Sequence, residues 1–380
     1  MILISIIIAV YNNEKYINNA INSVLAAGND VEVVIIDDGS TDSTPIIVDA
    51  IAENNKNVSV IHQKNQWIYA SFNNGIKAAK GEYIYILNSD DILVAGAIDS
   101  MRKTIEKYSH PDVVWTKVEM STCDNDQRII STKPLNPLVE KTEYVNTLSN
   151  ESIYYLLKSG LLYNQANLYK RALFTNELFD NDVFGADYLL NIKMLRHINN
   201  YVILADDIYR FYIYEEGKGN TSIGKYYGYE HELYNRFYDE AIKTIDYLKI
   251  TQKEVVDHIK KERRIRFSDE LRRLLFNESS KSLEERFTIM FEESIDKTIY
   301  NVFSDELEEM ECRFLSVLLE FINRTGVESI RRTKYCFAYE LLDSILRYEK
   351  DEYDYEKIRE AVANKNNPFR IGEVIYSKLI

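Results

Sequence analysis

Four short apolar runs near the N-terminus restrict the fold more than anything else in the chain: "ISIIIAV" (4–10), "VEVVIIDD" (31–38), "VSVIHQ" (58–63) and "EYIYILNSDD" (82–91). Helix-like stretches alternate with them: "EKYINNAINSVLAAG", "STPIIVDAIAENN" and "SFNNGIKAAKG", with Gly28 and Gly81 as C-cap signals for the first and last. Strands apolar on both faces, alternating with helices, require a doubly wound, mainly parallel sheet covered on both sides. Ligands of such sheets bind beyond the carboxyl ends of the strands. Every polar interruption falls at such an end: Tyr11 and Asn12 after the first run, Asp37 and Asp38 after the second, Asn88 to Asp91 after the fourth.

Later segments are less regular. "SHPDVVWTKVEM" reads as another strand, "DNDQRIISTKPLNPL" as an extended connection, "DYLLNIKMLRH" as a helix and "NYVILADDIYRFYIY" as a strand. Beyond about residue 226, Gly and Pro almost vanish and charged helical periodicity takes over. The expected organisation is therefore an α/β domain over 1–227, with halves 1–115 and 116–227, followed by an α-helical domain over 228–380.

Composition excludes several classes. With 46 Lys and Arg against 60 Asp and Glu, the net charge is −14, which disfavours a nucleic-acid partner. Cys123, Cys312 and Cys336 are far apart and show no metal-ligand spacing, so they read as reduced thiols. The start, "MILISIIIAVYNNEKY", lacks the basic leader of a signal peptide and reads as a buried strand. No apolar stretch reaches the roughly 18–20 residues that span a bilayer. The expected location is cytoplasmic.

Two adjacent carboxylates at the end of a buried strand repel each other and lose hydration, a cost that a divalent cation relieves. Mn2+ or Mg2+ takes carboxylate oxygens and shares its shell with substrate phosphates, so Asp90 and Asp91 are candidate metal ligands at a diphosphate. Asp38 can accept a hydrogen bond from a base N–H. Either pair alone is more often an N-cap or an Asx-turn than a site. Two pairs at neighbouring strand ends favour a site.

The blocks "SIIIAVYNNEKYINNAINSVL", "VVIIDDGSTDST", "NNGIKAAKGEYIYILNSDD" and "FGADYLLNIKML", in this order and spacing, resemble the large inverting family-two glycosyltransferases of the GT-A fold, over about residues 3–215. The resemblance implies a nucleotide-sugar donor, usually UDP-linked, bound by the first half and an acceptor bound by the second. It implies that Ala9, Tyr11 and Asp38 hold the base, with Asn12, Glu14, Asn73 and Ser89 as further donor contacts. Asn88 falls near the ribose, Asp90 takes the metal with Asp91 as a second candidate, and Asp187 is the catalytic base. That base would take the acceptor's proton as its oxygen attacks the anomeric carbon, in one inverting displacement with no enzyme nucleophile. A helix-start carboxylate favoured by the macrodipole is the alternative account of Asp187, and the distance of its block from the acidic motif favours the base role.

This chain departs from the family pattern in several places. Phe72 stands where an Arg is frequent, Trp67 where a Gly is common, and Ala186 where the base has an acidic neighbour; no His follows in "YRFYIYEEGKGNTS". Lys218, Asn220, Thr221 and Ser222 form a candidate closing loop over the diphosphate. The five histidines are scattered and read as surface or core. A receiver-like domain using Lys117 fits poorly, because a whole strand and helix precede Asp37 and Asp38. The basic segment "DHIKKERRIRFSDELRRLLF" reads as a solvated helix face or as a contact with anionic lipid. The resulting expectation is a metal-dependent bacterial glycosyltransferase acting on a glycan, lipid-linked or protein acceptor. It would be cytoplasmic or peripheral at the inner face of the membrane, with self-association through the tail as one option. A nucleotide-sugar-binding scaffold without turnover is the alternative.

Overall fold

The computed structural model describes residues 2–25, 28–124, 128–214, 226–277 and 280–294, with 317, 321 and 324. Two compact units divide the chain, Met1–Thr221 with Asp239–Ile259, and Ser222–Tyr238 with Lys260–Ile380. The first begins β1 (Ile4–Val10), α1 (Ile17–Leu25), β2 (Val31–Asp37), α2 (Thr44–Asn54), β3 (Val58–His62), α3 (Ile68–Ala78) and β4 (Tyr83–Ile86). It continues β5 (Ile92–Leu93), α4 (Ala97–Lys107), β6 (Val113–Cys123), β7 (Ile129–Pro134), β8 (Glu143–Val145), α5 (Asn150–Ser159), β9 (Leu168–Lys170), α6 (Ala186–Met194) and β10 (Tyr201–Tyr214). The helices α7 (Glu230–Tyr247), α8 (Lys253–Arg272) and α9 (Leu283–Ser294) follow.

The sheet runs β3-β2-β1-β4-β9-β6-β10-β5, with β7 on β6 and β8 on β10. Strands β3, β2, β1 and β4 are parallel; β2, β1 and β4 are apolar on both faces, with β1 buried along its whole length, whereas edge strand β3 exposes Ser59, Ile61 and His62. Short β9 then lies antiparallel between β4 and β6, which makes the sheet mixed. Strand β10 pairs with β6 in two registers, breaking between Leu204 and Tyr209, where Asp206 and Asp207 are exposed. Such a bulge turns the second half of the strand relative to the first. Isoleucines and valines of β1 and β2, Ile17, Ile21 and Val24 of α1, and Met101 and Ile105 of α4 build one core face.

The glycine signals have different physical meanings. Gly28 has φ +93°, a left-handed conformation fit to follow a helix. Gly81 does not cap α3, whose C-cap is Ala79 in an extended conformation. A Cβ at residue 81 would stand 2.6 Å from the backbone nitrogen of Ser5, and the Gly81 N–H donates to Ser5 Oγ. Close approach to β1, rather than helix termination, demands the glycine there.

In the first unit, Glu240 pairs with Arg196 at 2.7 Å and the Thr244 hydroxyl donates to the Ile192 carbonyl, bracing the end of α6. In the second, the basic segment is more internal than a solvated face. Arg263 and Arg264 are buried, Arg263 donates to Asn235 and approaches Glu270, and Arg266 lies over the rings of Tyr234 and Phe237. Lys261 and Arg272 remain exposed. Among the described residues no helix is long and apolar enough to cross a membrane. Cys123 is buried with a free thiol, while Cys312 and Cys336 lie outside the described residues.

Candidate active site

Because β1 lies between β2 and β4 with parallel register, the segments following all three emerge on one edge of the sheet. Neighbouring strands are about 4.8 Å apart, so the ends of β2 and β4 are separated by roughly 10 Å. Hydrogen bonds lock these segments together. The Asn12 amide donates to Ser40 Oγ, and Asn12 Oδ1 accepts from the Thr41 amide, with Asn12 itself at φ +49°. Glu14 accepts from the Ser43 N–H, its own N–H donating to Asp42. Asn13, absent from the sequence expectations, joins the β1 and β4 segments by donating to Ser89 Oγ at 2.8 Å. Asn12, Glu14 and Ser89 thus build the rim. Ala9 is buried beneath it and Tyr11 is half-exposed on it.

The members of each acidic pair have different partners, and in the second pair they differ in burial as well. Asp37 accepts from the Ser40 N–H, closing the turn, and lies 2.8 Å from His62 Nδ1. Asp38 Oδ1 accepts from Gln63 Nε2 and the Gln66 N–H, and Oδ2 from the Trp67 N–H at 2.9 Å. It thereby anchors the entrance to α3. In the second pair, Asp91 is wholly buried: Oδ2 accepts from the Tyr209 hydroxyl and Asn88 Nδ2, and Oδ1 from the Tyr212 N–H. Burial holds its carboxyl up, to about 6, against these donors. Its oxygens are engaged in tying β10 to β4, which leaves Asp90 as the open carboxylate. Asp90 is partly exposed but crowded by protein, and loss of water together with the charge of Asp91 pushes it well above the usual carboxylate range. Asn88 is held between Asp91 and Gln165, whose Nε2 donates to Asn88 Oδ1.

Asp187 lies in the first turn of α6, behind Gly185 at φ +74°. Its Oδ1 accepts from the Tyr69 hydroxyl at 2.6 Å, and that hydroxyl in turn accepts from the Gly185 N–H. Tyr69 is buried, stacked on Phe179 and edge-on to Phe72. Phe72, placed where the family favours a cation, therefore fills an aromatic cluster that fixes the residue holding Asp187. Burial and the Asp187 charge push the Tyr69 phenol up, so it remains a donor. Asn73 clasps the Phe179 backbone, donating to its carbonyl and accepting from its N–H. Both amide atoms are so engaged, which makes Asn73 a brace of this loop rather than a group turned toward a donor. Ala186 is fully buried. Below it, Asn191 of α6 accepts from the Tyr169 hydroxyl and donates to the Leu162 and Asn164 carbonyls.

Asp38 and Asp187 thus meet at opposite sides of the entrance to α3, through Trp67 and Tyr69. Trp67 has φ +76° and ψ 162°, a region occupied almost only by glycine and costing on the order of 1–3 kcal/mol for other residues. Sequence reasoning found the acidic residues but missed Tyr69, Tyr209, Gln165 and Asn13, because nothing in local spacing marks a contact across the sheet. Lys117 pairs with Asp207 at 2.7 Å. The candidate loop at 218 and 220–222 lies outside the described residues.

His62 was expected to be incidental, yet its two ring nitrogens face Asp37 at 2.8 Å and Asp49 at 3.0 Å. Both carboxylates raise its pKa, Asp37 most. A raised folded value adds stability that is complete below the unfolded pKa of about 6.5 and disappears as pH rises through the folded value. Because the side chain is 45% exposed, screening keeps the effect modest. The melting-temperature advantage of wild type over His62→Gln is expected to be larger at pH 5.5 than at pH 8.5; an advantage that grows with pH contradicts this assignment.

Residues 5–170 match the family model described as Glycosyl transferase family 2. EpsJ of Bacillus subtilis (strain 168), named an uncharacterized glycosyltransferase, is 28% identical over 228 residues, 58% of this chain and 63% of EpsJ. A GalNAc(5)-diNAcBac-PP-undecaprenol beta-1,3-glucosyltransferase of Campylobacter jejuni is 24% identical over 233 residues, 60% of this chain and 71% of that one. The chain spans less than two thirds of the length of several curated relatives, EpsJ among them. The crystal structure of S. aureus TarS 1–349 in complex with UDP-GlcNAc aligns with a TM-score of 0.51 and 21% identity over 95% of this chain and 90% of that one, a likeness of fold. The family match over 5–170, with the strand-end blocks arranged as described, makes that segment similar to glycosyl transferase family 2, on a fold like that of TarS.

Proposed function

We propose that this chain transfers a sugar from a nucleoside diphosphate, UDP-linked, to an acceptor hydroxyl in a bacterial surface glycan, teichoic-type polymer or glycoprotein. The observation that carries the reading is the gathering of Asp38, Asn88, Asp90 and the Tyr69-held Asp187 around neighbouring strand ends and the entrance to α3. UDP-GlcNAc in the fold neighbour TarS supports the donor class, and the undecaprenol-linked substrate in the Campylobacter relative's name supports a glycan acceptor.

In this mechanism Asp38 accepts an N–H of the base, and the rim around Tyr11 and Asn88 holds the nucleoside. The acceptor oxygen forms a bond to the anomeric carbon as the bond to the diphosphate breaks. The hydroxyl proton passes to Asp187, and configuration inverts in the single displacement. Tyr69 occupies Oδ1 of Asp187 and fixes the carboxylate's orientation. Among the described residues no group of three or more His, Cys, Asp or Glu side chains forms a metal cage. A divalent ion shared with substrate phosphates needs only one or two carboxylates, and the crowded, open Asp90 fits that demand better than Asp91. Bound there, Mn2+ or Mg2+ would neutralise charge on the departing diphosphate.

A screen of UDP, GDP, CDP and dTDP sugars, with and without Mn2+, tests the proposal. UDP-linked donors should raise the melting temperature and release UDP on turnover. Binding without release across acceptors would favour the scaffold reading, and no shift with any nucleotide would remove both.

A further inference from the structure

We infer that Trp67 is a nucleobase-binding wall, a contact that rests on the nucleotide-site reading above. Its backbone conformation is nearly reserved for glycine, and glycine would occupy it without strain. A side chain retained at such a position is best explained by work that the side chain itself performs. The residue is 39% exposed, so burial in a core does not account for it. Its ring stands edge-on to Tyr69, with centroids 6.4 Å apart and planes at 69°, and Tyr69 is itself fixed by Phe179 and Asp187. The platform is therefore held in place before a ligand arrives.

Hydrogen-bond capacity at Asp38 selects the ligand. A carboxylate has about four acceptor positions. Two on Oδ1 are filled by Gln63 and Gln66, and one on Oδ2 by the Trp67 N–H. Among the described residues the position left over is on Oδ2, the oxygen already bonded to residue 67, and only the edge of this nearly buried carboxylate is accessible. A heterocyclic N–H donated there places its ring beside Trp67, while Tyr11 is half-exposed at the end of the neighbouring strand β1. A planar pyrimidine with one N–H edge satisfies both the acceptor and the aromatic surface. A bare phosphate, an anionic acceptor without a flat face, satisfies neither of them.

The test uses UDP and inorganic pyrophosphate as probes, in Mg2+ buffer, on the full chain. Trp67→Gly should melt no lower than wild type. It should bind UDP at least about fivefold more weakly, the lower end of what an aromatic–base stack contributes, while pyrophosphate binding is unchanged. Independently of any variant, UDP should shield wild-type tryptophan fluorescence from acrylamide. The only other tryptophan, Trp115, is fully buried, so the quenchable signal reports on Trp67. Equal UDP affinity in Trp67→Gly, or quenching unaltered by saturating UDP, overturns the inference and leaves the nucleotide site standing. Failure of wild type to bind UDP overturns the nucleotide-site reading and this inference with it.

Discussion

Asp187→Asn is expected to lower the turnover number by roughly 10²–10⁴-fold, the contribution typical of a positioned general base, while UDP-sugar affinity stays within about twofold of wild type. The asparagine keeps the shape of the side chain and can still accept from the Tyr69 hydroxyl, which donates to Oδ1 at 2.6 Å in the native protein. What it loses is the capacity to take a proton. Tyr69→Phe should act in the same direction with a smaller loss, because it keeps the stack on Phe179 but frees the carboxylate to rotate. It should also move the acidic limb of the pH–rate profile upward. Removing a donor from the ionised form raises the pKa of Asp187, so a higher pH is needed to maintain the base. Steady-state kinetics with the donor identified by the screen would check both variants. An active Asp187→Asn removes the base assignment, and a Tyr69→Phe with an unaltered profile removes only the positioning role.

The second large effect separates the adjacent aspartates. Asp91→Ala leaves the Tyr209 hydroxyl, the Asn88 side-chain amide and the Tyr212 N–H without their acceptor in a buried place. Each unsatisfied group costs about 1–3 kcal/mol, so a loss on the order of 3 kcal/mol or more is expected. For a unit of this size that corresponds to a melting temperature lower by roughly 6–12 °C. Asp90→Ala should do the opposite to stability, holding or raising it, since it removes a crowded charge facing Asp91. It should nevertheless abolish metal-dependent turnover. Calorimetry on both variants beside an activity assay would decide; equal destabilisation by the two contradicts the division between inward and outward carboxylates.

The contrast shows what could be read from sequence. Parallel order among β1 to β4 follows from runs that are apolar on both faces, and placing the site at their carboxyl ends follows from that order. Short β9 carries too few residues to show a period, so its antiparallel insertion was invisible. The start of α3 was also hidden. Its local sequence provides no capping side chain, and the N–H groups at its entrance bond to Asp38 from another strand. The same limit applies to Asp90 and Asp91. Adjacency signalled a site, but which carboxylate points inward depends on Tyr209 and Tyr212, more than a hundred residues away. The departure at Phe72, where an Arg is frequent, becomes intelligible once Tyr69 and Phe179 are seen around it.

The central claim is that carboxylates from distant parts of the chain serve one bound nucleotide sugar. A crystal structure of the chain with an intact UDP-sugar and Mg2+ tests it most directly. The account predicts the base N–H on Asp38 Oδ2, the diphosphate at Asp90 and the anomeric carbon turned toward Asp187. A nucleotide bound away from Asp38 and Asp90, or an anomeric carbon turned away from Asp187, would contradict it.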